Sequence, residues 1–420
     1  MNQFENFALS NQLQLCIQEL GFDTPTEIQS KSIPSIIEGK DVIGESATGS
    51  GKTLAFGCGI VEQVSPKEGL QALILTPTRE LAEQVKDSLI QLSKTLNIFA
   101  IYGGVSFDPQ VNNLRKANVI VATPGRLLDH LQQRTINTSK IKLLVLDEAD
   151  RMFDMGFIDD VEKIIQNCPN KRQTLFFSAT ISARIKKLAS KYMNNPIEVL
   201  AKRQVDPSKL KQIYYNIEKN LKLSLLVHLV QQERSGLVMV FCNTRRTTDF
   251  VTKNLRANKI DAIAIHGGLT QNKRTRTIES FNKGKAGVLV CTDVAARGLH
   301  IDDVSHIYNY EIPKDPTDYV HRIGRTARAG GSGKVINLLC QFDHDNFSRV
   351  LREHTFKIEK IEKPYLKRVL AIKENEFRRP QRGNFRKPFQ RGNNSFRGPR
   401  RGNNFRKNFS RDNNQRRERY

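Results

Sequence analysis

The sequence predicts an α/β protein: two tandem domains with parallel sheets flanked by helices, followed by a disordered basic tail. Three observations carry this. Short apolar runs, each ending in a polar or glycine-bearing loop, alternate with helical patterns, the signature of repeated βαβ units. At 420 residues the chain can bury two or three separate cores. Charge is uneven: residues 377–420 hold thirteen Arg and two Lys against Asp412 and Glu418, a net +13 of the chain's +24.

Taken in order, Asp41-Val42-Ile43 reads as a strand entering a glycine loop, and Ala72-Leu73-Ile74-Leu75 as one entering Thr76-Pro77. Val119-Ile120-Val121 leads into Ala122-Thr123-Pro124-Gly125-Arg126. Leu143-Leu144-Val145-Leu146, too short for a helix and apolar throughout, is a buried parallel strand ending in Asp147-Glu148-Ala149-Asp150. Leu175-Phe176-Phe177 ends at Ser178-Ala179-Thr180. A second set begins at Leu237–Phe241 and continues through Ala262–Ile265, Val288–Val290 and Val335–Leu339. The polar, proline-containing stretch 201–209 separates the sets as a linker. The expected division is therefore 1–200, 201–209, 210–366 and the tail 377–420.

Composition narrows the partners. A net charge of +24 calls for a polyanion, either nucleic acid or an anionic surface. No apolar run approaches membrane-spanning length, and Met1 to Gln12 lacks the basic end and apolar centre of a secretory signal. The expected location is cytoplasmic, with no membrane partner. Six cysteines (Cys16, Cys58, Cys168, Cys242, Cys291, Cys340) stand singly, as reduced thiols do, without the close pairs of a zinc site.

Two stretches carry the chemistry. Ser46-Ala47-Thr48-Gly49-Ser50-Gly51-Lys52-Thr53 follows a strand and opens a helix, offering backbone N–H groups, an ammonium on Lys52 and a hydroxyl on Thr53 for Mg²⁺. The full glycine-loop consensus has Gly where this chain has Ser46. Asp147 and Glu148 close a strand at the sheet edge where ligands of open α/β sheets bind. Together the two stretches predict a nucleotide site with Mg²⁺ held by Thr53 and Asp147, and Glu148 as the group that takes a proton from the attacking water. In the second half, His321-Arg322-Ile323-Gly324-Arg325-Thr326-Ala327-Arg328 sets Arg325 and Arg328 three apart, on one face if helical. A basic group from another domain suits the charge developing on a transferring phosphate.

These residues resemble, in order and across about Phe4 to Tyr365, the DEAD-box RNA helicases, superfamily 2 enzymes with two RecA-like domains. Phe4, Gly21-Phe22, Pro25-Thr26 and Ile28-Gln29 are similar to the family's adenine-reading motif, and the Gln29 amide matches an adenine edge. The resemblance implies a nucleotide site formed by Phe22, Gln29, Thr48, Gly49, Ser50, Gly51, Lys52, Thr53 and Asp293. It implies RNA contacts from Pro77, Thr78, Arg79, Gly104, Thr123, Pro124, Gly125 and Arg126, and from Asn243, Thr244, Arg274 and Thr292. It further implies catalysis by Lys52, Asp147, Glu148, Arg325 and Arg328, with Ser178 and Thr180 coupling ATP state to unwinding. Ser46 replaces the family's usual Ala, and Ala327 its usual Gly in the last motif.

The substrate side agrees with that resemblance. Small-residue loops such as Gly103-Gly104 and Pro124-Gly125-Arg126 suit a sugar-phosphate backbone and offer no aromatic sheet for reading bases, so recognition should be largely independent of sequence. The tail repeats Arg-Gly-Asn units with spaced Phe, a composition that pairs phosphate contacts with stacking planes and suits RNA tethering. The expected activity is ATP hydrolysis coupled to RNA binding and local unwinding of short duplexes or remodelling of ribonucleoproteins. The other reading left open is an ATP-gated RNA clamp or annealing chaperone with little unwinding.

Overall fold

The structure is a computed structural model and describes residues 3–46, 49–201, 210–233, 236–296, 301, 304–326, 333–354 and 356–372. The expected linker, apart from Ala201, and the whole tail lie outside the described residues. So do Thr48 and Arg328. Both sheets fall within one compact unit, Met1–Lys373.

The first lobe is built on β1 (Val42–Glu45), β2 (Ala72–Leu75), β3 (Ile98–Ile101), β4 (Val119–Ala122), β5 (Leu143–Asp147), β6 (Gln173–Ser178) and β7 (Ile197–Leu200). All pair in parallel, in the order β3-β4-β2-β5-β6-β1-β7. The second lobe repeats the plan with β8 (Leu210–Asn216), β9 (Leu237–Cys242), β10 (Ala262–Ile265), β11 (Val288–Thr292), β12 (Val304–Asn309), β13 (Gly333–Leu339) and β14 (Glu359–Lys360), in the order β10-β11-β9-β12-β13-β8-β14. Because every strand in a sheet points the same way, all the loops that follow strand ends open on one edge.

Helices cover both faces, which is why the central strands are apolar without alternation. Val145 and Phe177 belong to one core layer of the first lobe, with Ile28, Ala55 and Val85; Leu144, Leu146 and Phe176 belong to the other, with Val161 and Ile185. The second sheet starts earlier than the sequence suggests: β8 precedes Leu237. Its Leu210-Lys211-Gln212-Ile213-Tyr214-Tyr215-Asn216 is mixed in polarity, with Lys211 and Asn216 exposed, so no apolar run marks it. The expected helical face for Arg325 is also corrected. The helix Pro316–Ile323 stops at Gly324, and Arg325 lies beyond its end.

The strand C-terminus Glu359–Lys360 is followed by an extended strap that remains on the second lobe. Val369 N donates to Ser224 Oγ, and Ile372 N to Asn254 Oδ1. All six cysteines are free, and burial pushes the Cys58 thiol up to about 12. No described helix is long and apolar enough to cross a membrane.

Candidate nucleotide and RNA site

The glycine loop leaves β1 and enters the helix Lys52–Gln63. Gly51, the residue before that helix, sits at φ +90°, and a Cβ there would collide with the Gln29 amide. Glycine is required on both counts. Gln29 is tied down as well: its Oε1 accepts from Thr26 N (2.8 Å), and its Nε2 donates to Gly51 O (3.0 Å). Thr26 Oγ1 donates to Ser50 O, so the motif containing Gln29 grips the phosphate loop from outside. Ser46 takes a place inside the loop, with its Oγ 2.7 Å from Ser50 Oγ and its carbonyl accepting from Lys52 Nζ at 3.0 Å.

Opposite the loop, β5 delivers Asp147 and Glu148. Asp147 is fully buried, and burial raises its carboxyl to about 6, against the pull of Lys52. Glu148 adopts a left-handed backbone, φ 52° and ψ 51°, a strained choice for a residue with a Cβ and one that turns it out of the strand line. Its Oε2 is buried and accepts no hydrogen bond among the described residues. Asp150 is spent on the neighbouring loop. Its Oδ2 accepts from Ala179 N (3.2 Å), Thr180 N (3.0 Å) and Thr180 Oγ1 (3.1 Å), while Ser178 Oγ accepts from Asp150 N and donates to Thr180 O. The acidic strand end and Ser178-Ala179-Thr180 are therefore one hydrogen-bonded piece.

A cleft of about 310 Å³ joins these parts. Phe22, Gln29, Gly49, Gly51, Lys52, Thr53, Asp147 and Glu148 line it from the first lobe, and Arg325 from the second. The donors fit Mg²⁺: a hydroxyl and a carboxylate, both hard oxygen ligands. Among the described residues there is no group of three His, Cys, Asp or Glu that could hold a metal ion by itself.

The second lobe contributes a buried hub. Arg322, 1 % exposed, donates to Asp293 Oδ1 (2.5 Å) and Oδ2 (2.7 Å), Asn309 Oδ1 (3.0 Å), Glu311 O (2.6 Å) and Asn243 Oδ1 (2.9 Å). Burial works against its charge, and Asp293 outweighs that. Both Asp293 oxygens are thus engaged by Arg322, and Asp293 does not line the nucleotide cleft.

The residues expected to meet RNA sit at the other half of each sheet edge. Pro77, Thr78 and Arg79 follow β2, Gly104 follows β3, and Thr123 to Arg126 follow β4, three adjacent strands. Asn243 and Thr244 follow β9, and Thr292 ends β11, on the matching half of the second sheet. Thr78 and Thr244 cap helices through their hydroxyls, accepting from Leu81 N and Thr247 N. Pro124 opens the helix Pro124–Gln132, with Thr123 before it, and the space beside Gly125 is open. Gly104, at φ +84°, lies under the Arg79 guanidinium, in a left-handed backbone conformation that favours glycine.

Some of these side chains already have internal work. Arg126 donates to Val105 O (3.1 Å) and lies over the Phe107 ring. Asn243 donates its backbone N–H to Glu311 Oε2 and its Nδ2 to Ile312 O. Arg274 faces the first lobe: its Nε is 3.0 Å from Glu80 Oε1, an ion pair without a hydrogen bond, and that oxygen accepts from Gln271 Nε2 at 3.0 Å. Residues that sequence reasoning left unassigned (Glu80, Asp150, Arg151, Glu311, Arg322) prove to hold the site together. Asp150 and Arg322 lay inside the motifs already singled out. Glu80 lay beside Arg79 in a stretch likened to the family's RNA-binding loops and Glu311 carried no signal; the partners of both are distant in sequence.

Comparison with known proteins agrees with this geometry. Residues 26–188 match the DEAD/DEAH box helicase family and 221–330 the helicase conserved C-terminal domain. The chain is 41 % identical over 372 residues to the DEAD-box ATP-dependent RNA helicase CshA of Bacillus subtilis, covering 87 % of this chain and 75 % of that one. Its structure resembles S. cerevisiae Dbp5 bound to RNA and ADP BeF3, with a TM-score of 0.77 at 28 % identity, over 86 % of this chain and 96 % of the other. A DEAD box protein from Methanococcus jannaschii is 39 % identical, with a TM-score of 0.53, over 85 % and 98 % of the two chains.

Proposed function

Because the chain belongs to the DEAD-box ATP-dependent RNA helicases, we propose that its described cleft hydrolyses ATP when RNA brings the two lobes together. The fold is the family's pair of RecA-like domains, and the enzyme is an RNA-dependent ATPase. The observation that carries the proposal is the cleft itself, which takes a phosphate loop and two acids from one lobe and Arg325 from the other.

In this reading Phe22 and Gln29 receive the adenine, and the backbone of Gly49, Ser50 and Gly51 receives the phosphates together with Lys52. Thr53 and Asp147 would hold Mg²⁺, which neutralises phosphate charge when bound. Glu148 accepts the proton of the attacking water as its oxygen bonds the terminal phosphorus and the bond to ADP breaks. Its Oε2, buried and without a hydrogen bond among the described residues, is available for that proton. Arg325, with Arg328 beyond the described residues, stabilises charge on the transferring group. Hydrolysis is then conditional on closure, and the likeness to a chain holding RNA and ADP BeF3 supports reading the present arrangement as closed.

RNA would run along the loops after β2, β3 and β4 and across to those after β9 and β11, gripped by its backbone with little regard for sequence. Asp150 links this to chemistry, since it holds Ser178 and Thr180 beside the nucleotide acids. We assign the working lobes to residues 1–200 and 210–366, the tail 377–420 to RNA tethering, and the location to the cytoplasm with ribonucleoprotein partners. Local duplex separation follows if closure bends one strand. ATP-dependent unwinding of short RNA duplexes, compared with DNA ones, distinguishes this from a clamp or annealing chaperone.

The test of the site is Glu148→Gln. ATP binding is retained and hydrolysis stops, so RNA is held longer in the presence of ATP. Wild-type turnover in that variant would remove Glu148 from the mechanism.

A further inference from the structure

Arg151 follows the acidic strand end on the short helix Ala149–Asp154, and it is 1 % exposed. Its Nε lies 3.5 Å from Glu148 Oε2, the carboxylate oxygen that accepts no hydrogen bond among the described residues. Its Nη1 and Nη2 are buried and likewise donate to nothing described. The contrast with Arg322, equally buried and bonded through every nitrogen, is plain. A guanidinium sealed from water, with two nitrogens unbonded among the described residues, costs a fold stability that an interaction of its charge must offset.

The surroundings indicate that task. Arg151 lines a second, narrow cleft whose other walls all come from the second lobe, among them Asp293, Asp318, Arg322 and Arg325. Arg151 therefore has Glu148 on one side and a cleft lined by the second lobe on the other.

We propose that Arg151 is a positioning residue: it holds the Glu148 carboxylate through Nε, in an orientation that tightens when the second lobe, with Asp318 and Asp293, covers its Nη face. Docking expels water from the guanidinium, and an ion pair strengthens as the local dielectric falls. The carboxylate then loses rotamer freedom while it faces the cleft. With the lobes apart, water solvates Nη1 and Nη2 and the hold on Glu148 slackens. Arg325 reports closure to the phosphate side of the cleft; Arg151 reports it to the base. The inference rests on Glu148 being the general base.

The full-length protein carrying Arg151→Met or Arg151→Lys is compared with the parent in RNA-stimulated ATP turnover. RNA retention with a non-hydrolysable ATP analogue is measured alongside. Arg151→Met should lower kcat tenfold or more, leave the KM for ATP and the half-saturating RNA within threefold, and keep analogue-dependent RNA retention. Arg151→Lys, which restores the charge, should bring kcat back to within threefold of the parent. A smaller loss of kcat overturns the proposal. So does a parallel loss of kcat and RNA half-saturation, because a residue that merely holds the lobes or the fold moves both. If Arg151→Met fails to fold, Arg151→Gln takes its place under the same criteria, and failure of both marks the residue as structural and ends the proposal. Glu148→Gln is run beside them. If it turns over ATP normally, the base assignment itself has failed; if it is inactive while Arg151→Met is normal, only the positioning role is wrong.

Discussion

Glu80 and Arg274 lie on different lobes, so cutting their contact should change closure and little else. Glu80 Oε1 is 3.0 Å from Arg274 Nε and accepts from Gln271 Nε2 at 3.0 Å, with side-chain exposures of 6 % for Glu80 and 14 % for Arg274. Burial pulls the Arg274 guanidinium down against the influence of Glu80, so removing Glu80 leaves a desolvated cation near the like charge of Arg79. Truncating one partner of a buried, hydrogen-bonded charge pair at an interface costs about 2–5 kcal/mol, and here Arg274 Nε pairs with Glu80 by charge without a hydrogen bond. Since Arg274 keeps some contact with water, the lower part of that range applies, about 2–3 kcal/mol, or roughly a 30- to 150-fold weaker closure at 1.4 kcal/mol per decade. In Glu80→Ala the RNA concentration for half-maximal ATPase should rise by that factor, while nucleotide binding without RNA stays at the parent value. A double-mutant cycle with Arg274→Ala separates a latch from two independent RNA contacts: a latch makes the double variant hardly worse than either single one. Half-saturation within threefold of the parent, or strictly additive losses, would refute the reasoning.

Two further outcomes follow from charge. Burial raises Asp147 to about 6 from an ordinary 3.8, so between those values the folded chain keeps a proton that the unfolded chain has released. Nucleotide-free stability should therefore fall as pH rises through that window and level off above it, a cost of about 3 kcal/mol. Asp147→Asn should melt higher than the parent near pH 7 and equal to it below about pH 4, while losing ATP turnover; superimposable melting profiles would contradict this. Ending the chain after Glu376 removes a net +13 and none of the matched motifs. Maximal RNA-stimulated ATPase should survive. The slope of log RNA affinity against log salt should flatten by roughly three to four units, if the tail makes about five phosphate contacts at roughly 0.7 each. Equal slopes for the two chains would rule out tethering.

The nucleotide half of the site was legible because its residues are contiguous. Gly49 to Thr53 and Asp147 to Glu148 each need only one strand end to be placed, and the parallel sheet does the rest. What the sequence could not display were pairings made across lobes or across a core. Arg274 looked like a free cation for RNA, and only folding reveals Glu80, far upstream, in front of it. Asn243 looked available for RNA until its amide was found shared between Ile312 O and Arg322. The strand β8 was hidden by its polar alternation, and β12, Val304-Ser305-His306-Ile307-Tyr308-Asn309, by a histidine and an asparagine buried in it. Arg325 was found by charge clustering, although the helical face invoked for it does not exist, since the helix ends at Ile323.

Gln29 offers one more consequence. Its amide has four hydrogen-bonding positions, and two are already committed, Oε1 to Thr26 N and Nε2 to Gly51 O. A base docking against this side chain meets an amide whose plane is fixed by the phosphate loop, and the loop in turn is held by that amide. Two sites that share one rigid element exchange free energy reciprocally. The purine should therefore sharpen the grip on its own phosphates by the same factor as the phosphates sharpen the grip on the purine. ATP ought to bind more tightly than the separate affinities of adenosine and tripolyphosphate imply. Replacing Gln29 by Ala should shrink that surplus, in addition to removing the base's own contacts.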